Sequence, residues 1–378
     1  MLMNQIYEIT NAIVKEILGE DAIVNEDLSN IVDVGTQIFN ANAFDHYVKS
    51  LVNHIGKVIF VDRPYSGSAP SVLMDGWEYG SVLEKISSEM PVASENESWE
   101  LEDGKSYDPH VFYQPKASAK FFNKRTTFEI DRSITERQVK QSFSNAQQLN
   151  GFMSMILNET EKALTVRTDA LIMRTISNMI LETANAANPM RYVNLLSGYN
   201  QQFGKTISPQ EAITEPEFIR YAAFTISLFS DRLTRMSTLF NAGGMQRFTP
   251  RDYQKIVYLS EFARAADVYL QSDVFHDQYT AIAKGETVPF WQGSGQDYNF
   301  ANTGKIMGTL ASDGSTNVTA NGVLAVMFDR DALGVANFDR RITTQWNAKA
   351  EFTNYFYKQD AGYFNDLNEN FIVFYAAQ

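Results

Sequence analysis

The sequence has no cysteine, only four histidines, a deficit of basic charge and no long apolar run. Without cysteine there can be no disulfide, thiolate metal site or thiol nucleophile, so stability must come from packing, hydrogen bonds and contacts between chains. Lys and Arg total 32 against 45 Asp and Glu, a net charge of −13. Displacing the counterions of a nucleic-acid backbone takes clustered Lys and Arg, so this balance argues against tight nucleic-acid binding. The longest apolar run, Phe371 to Ala377, falls far short of the ~20 residues that span a bilayer. Met1 to Leu18 has neither a basic leader nor an apolar block. Ile6, Ile9, Ile13 and Ile17 instead mark one helical face closed by Gly19, the expected start of a soluble, unprocessed chain.

Catalytic signatures are equally scarce. His46, His54, His110 and His276 are scattered, and no pair has the i, i+4 spacing that places two imidazoles on one metal. Neither the Gly-x-Ser-x-Gly nucleophile turn nor the Gly-x-Gly-x-x-Gly dinucleotide turn occurs, and Gly293-Ser294-Gly295 lies in a polar stretch. Gly204-Lys205-Thr206 comes nearest to a phosphate-cradling loop. That loop needs a glycine five positions earlier, where this chain has Tyr199, and Pro209 follows too soon for a helix to open at Thr206. Asp329 and Asp331 read as turn residues or caps. No catalytic, cofactor-binding or metal-binding residue is assigned, and no cofactor is expected. A phosphate-binding enzyme is the alternative from a different class.

What is present is organisation on a large scale. With 378 residues, 44% hydrophobic content and 18 tyrosines, the chain can bury more than one core and still keep much amphipathic surface. Phe128-Glu129-Ile130-Asp131-Arg132 alternates with the period of a half-exposed strand. An apolar stripe then recurs at Phe152, Ile156, Ala163, Val166, Ala170, Met173, Ile176 and Ile180 with neither Gly nor Pro to interrupt it. Pro189 disfavours helical geometry at Asn188, so one helix from about Ser144 to Ala187 is predicted, roughly 65 Å long at ~1.5 Å per residue. Core packing accounts for most amphipathic stripes. A helix several times the usual ~11 to 12 residues argues instead for a subunit braced for assembly.

Before that helix, Phe44 to Ile55 reads as a short helix and Lys57 to Asp62 as a strand. The stretch from there to Arg125 is broken by Pro64, Pro70, Pro91, Pro109, Pro115 and several glycines, which forbids long helices. From Glu84 to Asp108 there are eight acids and two lysines, with Glu95, Glu97, Glu100, Glu102 and Asp103 the densest part. The returning limb carries Lys116, Lys120, Lys124 and Arg125 among aromatic residues. This pattern fits an extended two-stranded arm. Such an arm is marginal in water, so these nine charged residues are the candidate contacts to another chain, a solvated acidic loop being the alternative. Further on, Pro216 opens a helix with the face Phe218, Ala222, Ile226, Phe229, Leu233, Met236 and Phe240, ended by Gly243-Gly244. Tyr253 to Leu259 reads as a strand and Glu261 to Leu270 as a helix. Lys284 to Gly322 reads as a glycine-rich loop or weak hairpin, Val323 to Phe328 as a buried strand ended by Asp329, and Ile342 to Tyr375 as strands turning at Gly362.

This order of parts resembles the major capsid proteins of tailed bacteriophages, the Hong Kong 97 coat fold shared with encapsulins. The resemblance rests on Ile31-Val32-Asp33-Val34-Gly35 through Leu51-Val52-Asn53-His54-Ile55-Gly56, on Phe128 to Arg132 leading into the long helix, and on Val323 to Gly334. The opening segments look most like coat proteins of small short-tailed phages of Gram-positive bacteria, without the immunoglobulin-like appendage some of them carry. The resemblance implies an α+β fold with an N-terminal arm (1–56), an E-loop (57–125), a peripheral domain with a spine helix (126–190), an axial domain (191–340) and returning C-terminal strands (341–378). It also implies homo-oligomeric hexamers and pentamers in a virion, a separate scaffolding protein and a portal, and enclosure of double-stranded DNA without sequence-specific binding. An encapsulin-like compartment is the alternative within the fold.

Overall fold

The computed structural model describes Asn11, Val14 and residues 70–74, 83–88, 90–91, 93–135, 146–271, 282–291 and 299–378, with backbone only at 97, 146–158 and 271. The helices expected at 1–18 and 44–55 and the strand at 57–62 therefore lie outside the described residues, apart from helical Asn11 and Val14.

The elements run β1 (Leu73–Met74), β2 (Leu83–Ser88), β3 (Ala117–Phe122), β4 (Arg125–Thr135), α1 (Ala146–Ala186), β5 (Tyr192–Asn194), α2 (Leu195–Phe203), α3 (Pro209–Ala212) and α4 (Pro216–Leu233). They continue with β6 (Gln254–Leu259), α5 (Ser260–Gln271), β7 (Glu286–Val288), α6 (Phe300–Thr303), β8 (Ile306–Thr309), β9 (Asn317–Ala320), β10 (Val323–Asp329), β11 (Leu333–Asn347), β12 (Phe352–Asn365) and β13 (Phe371–Tyr375). The chain divides into two compact units. One takes 1–69, 125–172 and 336–362, the other 70–124, 173–335 and 363–378.

In the first unit, β12 pairs antiparallel with β4 from Phe352 opposite Thr135 to Gly362 opposite Arg125. The alternation read at Phe128–Arg132 thus belongs to a strand of 11 residues. Gly362 lies inside a paired strand. The turn comes earlier, at Glu351, whose φ is +51°. The segment 342–375 gave no sharp breaker at 348–351, whereas its one glycine was conspicuous.

Helix α1 has 41 residues, close to the expected length; the Phe152 and Ile156 side chains lie outside the described residues, and in the middle of the helix a different side is buried. Val166 is 64% exposed and Ala170 is exposed, whereas Thr160, Leu164, Thr168, Leu171, Ile172, Thr175, Ile176, Met179, Ile180 and Thr183 are buried. The spacing is still helical. Threonines fill polar positions of the inner face because their hydroxyls bond back to the helix: Thr168 donates to the Leu164 carbonyl at 3.0 Å and Thr183 to that of Met179 at 2.8 Å.

The second unit is built on a mixed sheet in the order β5-β13-β10-β6-β7. Its middle strand β10 is buried at all seven positions and pairs antiparallel with β13 and β6. This is the run of β-branched and apolar residues a doubly covered strand requires. Pro216 does open α4, but the helix stops at Leu233. The Thr234 and Ser237 side chains bond local backbone, Ser237 pairs with Arg247, and Phe240 leaves the helix to set its ring 6.1 Å from Phe229. Turn-forming hydroxyls thus end the helix well before the glycine pair. The glycine-rich segment adds β7 to the sheet and forms the β8–β9 hairpin.

Candidate functional site

In the arm, Leu83 to Ser88 face Phe122 to Ala117 in antiparallel register, with Lys85 directly opposite Lys120. Like charges in that relation repel. Here both point inward, against one acid: Lys85 Nζ lies 3.0 Å from Asp366 Oδ2 and Lys120 Nζ 3.0 Å from Asp366 Oδ1. Lys85 also donates to Glu369 Oε1 at 2.9 Å and to the Asp331 carbonyl at 2.9 Å, and Arg247 Nε approaches the same Glu369 oxygen at 3.4 Å. Asp366 is buried and accepts a further bond from the Asn368 N–H.

The electrostatics follow from this clustering. Burial alone would raise the Asp366 pKa, but Lys85, the Asn368 N–H and Lys120 outweigh it and hold the carboxyl below its ordinary 3.8. Burial likewise works against the Lys85 charge, yet Glu369 and Asp366 raise its pKa above 10.5. Asp366 therefore adds stability above about pH 4, which is lost as the pH falls through its depressed pKa. Lys85 contributes below pH 10.5, an amount lost as the pH rises through its elevated pKa. The anchor is fully made at neutral pH and is lost at either extreme of pH. Asp366→Asn is expected to cost roughly 2 to 3 kcal/mol and to speed hydrogen exchange of the β2 and β3 amides. Unchanged exchange would mean that strand pairing alone holds the arm.

The outward side of the hairpin inverts the usual order. Ile86 and Phe121, diagonal neighbours across the pair, are 69% and 63% exposed. Beyond them Glu95, Glu100, Glu102, Asp103 and Lys116 are exposed, as are Trp99, Phe112 and Tyr113. Glu97 begins a short 3-10 turn that ends at Trp99. Lys120 is the anchor just described, the Lys124 carbonyl accepts from the Tyr363 N–H, and the Arg125 guanidinium lies 4.8 Å from the Phe338 ring centre. The structure thus gathers Lys120 with three residues that sequence reasoning missed, Lys85, Asp366 and Glu369. Both acids come from the turn between β12 and β13, and nothing in the local sequence links them to the arm.

Gly204 is the left-handed cap of α2, with φ +64°, and follows a helix where a phosphate loop would follow a strand. Lys205 is taken by Glu217 at 2.5 Å and Glu215 at 3.1 Å, and together with Tyr199 these raise its pKa. Among the described residues no group of three potential metal ligands occurs, and no helix is long and apolar enough to cross a membrane.

The architecture matches the capsid structure of Staphylococcus phage Andhra with a TM-score of 0.50 at 10% identity, covering 84% of this chain and 88% of that one. The fold is that of a tailed-phage capsid subunit. Similarity extends to the capsid of cyanophage P-SCSP1u (TM-score 0.47, 12% identity, 84% and 92% covered). It extends also to a chain in a structure of bacteriophage P68 describing its head fibre and inner core protein (0.49, 8%, 83% and 87%). No curated protein matches the sequence. The chain belongs to the Phi29-like phage major capsid protein family, whose model matches residues 10–375. It is a major capsid protein of the virion head, in a family of structural proteins, and the phosphate-binding and encapsulin alternatives are not favoured.

Proposed function

We propose that this chain is the repeated tile of an icosahedral head, assembling as hexamers and pentamers around double-stranded DNA without sequence-specific contacts and without catalysis of its own. In this reading 57–125 is the E-loop, 126–190 the peripheral domain with α1 as its spine, and 191–340 the axial domain. Residues 1–56 are the N-terminal arm, and 341–378 return to the body. A scaffolding protein and a portal complete the assembly. The net charge of −13 favours packaged DNA that slides over adhesion to the wall.

One observation carries the proposal: the arm is fixed by charges on its inner side and leaves large apolar side chains of its outer side and tip in water. Trp99 is 96% exposed and Phe112 and Tyr113 are each 83% exposed. Burying one such side chain fully is worth roughly 1.5 to 3 kcal/mol, a gain the isolated subunit forgoes and a neighbour can supply.

The triple reversal Glu97→Lys, Glu100→Lys, Glu102→Lys should leave the subunit folded and reduce particle yield on sucrose gradients by roughly tenfold or more. Normal yield would remove the acidic tip from the assembly contacts. Nucleic acid extracted from purified particles should be double-stranded DNA, whereas packaged protein cargo would favour an encapsulin-like compartment.

A further inference from the structure

We infer that the acidic arm of one copy docks on the arginine-rich loop of residues 232–251 in a neighbouring copy. This inference rests on the assembly reading above and names the surface that receives the arm.

The loop stands out by charge. Residues 232–251 contain Arg232, Arg235, Arg247 and Arg251 and no acid, in a chain whose net charge is −13. Two of these are engaged locally, Arg251 with Asp231 and Arg247 with Glu369. Arg232 lies 5.1 Å over its own Phe229 ring, and Arg235 is exposed with no ion pair among the described residues. Both are left to meet a carboxylate from outside.

Apolar surface accompanies the charge. Ser237 and Arg247 exchange backbone hydrogen bonds of 2.9 and 3.0 Å. That pairing sets Met236 and Phe248 side by side on the opposite face of the ribbon. With Leu239 they are 45%, 49% and 50% exposed, in the order Met236, Phe248, Leu239.

The loop is also held in shape before any partner arrives. Buried Asn241 donates to the Met245 carbonyl at 2.7 Å and accepts from its N–H at 2.8 Å, and the Ala242 and Gly243 N–H groups both donate to the Leu367 carbonyl. Gly243 sits so close to Asn368 that a Cβ there would fall 1.9 Å from Oδ1. A preformed surface loses little entropy on binding.

The matching surface is on the same chain. Glu95, Glu100, Glu102 and Asp103 are exposed and form no ion pair among the described residues, and they alternate with Trp99 and Leu101, 96% and 67% exposed. Acids with apolar residues on the arm meet arginines with apolar residues on the loop. Since every copy carries both, the contact is head-to-tail, the kind that closes into rings. A second copy is therefore the occupant, with DNA as the rival partner for the arginines.

The test uses whole chains expressed in cells, with the wild type in parallel. Arg232→Glu with Arg235→Glu should lower particle yield roughly tenfold or more, as should Glu100→Lys with Glu102→Lys, and the four changes together should restore much of it. Because the protein has no cysteine, chains carrying Glu100→Cys can be co-assembled with chains carrying Arg235→Cys and treated with a short bismaleimide. Covalent dimers that require both chains are expected. Particles that form without such dimers, or a four-site variant no better than either pair, would overturn the docking surface alone. Loop variants that assemble normally but lose their DNA would overturn it in favour of nucleic acid. Failure of wild-type chains to form particles at all would instead sink the assembly reading.

Discussion

Ala170→Pro should destabilise the subunit by about 3 kcal/mol or more and prevent particle formation. The residue lies inside α1, whose helical backbone runs unbroken from Ala146 to Ala186, and its methyl group faces solvent. Nothing is therefore lost from the core when the side chain changes. Proline removes the amide that bonds back to residue 166 and sets its ring against that carbonyl. The next two residues, Leu171 and Ile172, are 4% and 0% exposed, so a local break pulls on buried side chains at once. Ala170→Ser is the control, expected to stay within about 0.5 kcal/mol of wild type. Thermal unfolding and sucrose gradients of the two variants decide the matter. Equal stability for both would show that α1 is not one continuous helix at this point.

The same helix shows what sequence can reveal and where it stops. Its existence and C-terminal end were legible because neither Gly nor Pro occurs between Phe152 and Asn188 and Pro189 follows, although Gly151 lies inside the helix near its start. Chain reversal there uses Ala187 at φ +46° and an Asn188 carbonyl that accepts the N–H groups of Arg191 and Tyr192. The phase of its buried face was misread at Val166 and Ala170, because threonine counts as polar in a pattern search yet satisfies its own hydroxyl inside a helix. Strand β10 was legible for the opposite reason: seven consecutive buried residues need no decision about which side faces in.

The arm divides along similar lines. Two extended limbs around an acidic tip could be read from the alternation and the prolines, and the antiparallel pairing agrees. Its anchor could not. Asp366 and Glu369 lie 281 and 284 residues from Lys85 in a turn that looks like any other, and only the fold brings them together. The arginine loop was hidden by averaging, since a chain-wide excess of acid conceals a 20-residue segment of the other sign.

Gly322→Ala should be among the most damaging single substitutions in the second unit, costing roughly 3 kcal/mol or more. By sequence it is one glycine among several in a loop. In the structure it has φ +63°, and a Cβ would lie 2.0 Å from the Ala376 carbonyl oxygen and 2.8 Å from its carbon. Those atoms are backbone and are held in place, because the Ala376 N–H donates to the Gly322 carbonyl at 2.8 Å and the preceding residues form β13. Two costs therefore add. The left-handed conformation penalises any side chain by roughly 1 to 2 kcal/mol, and relief of the clash must move β13 or the entry to β10, the two strands at the centre of the sheet. Gly314 separates these costs, since it shares a positive φ of +68° but has nothing within 4 Å of its would-be Cβ. Gly314→Ala should lose only the conformational part, about 1 kcal/mol. Denaturant unfolding of the pair measures the difference, and equal losses would show that the approach of residue 322 to the β13 end is looser than the structure has it.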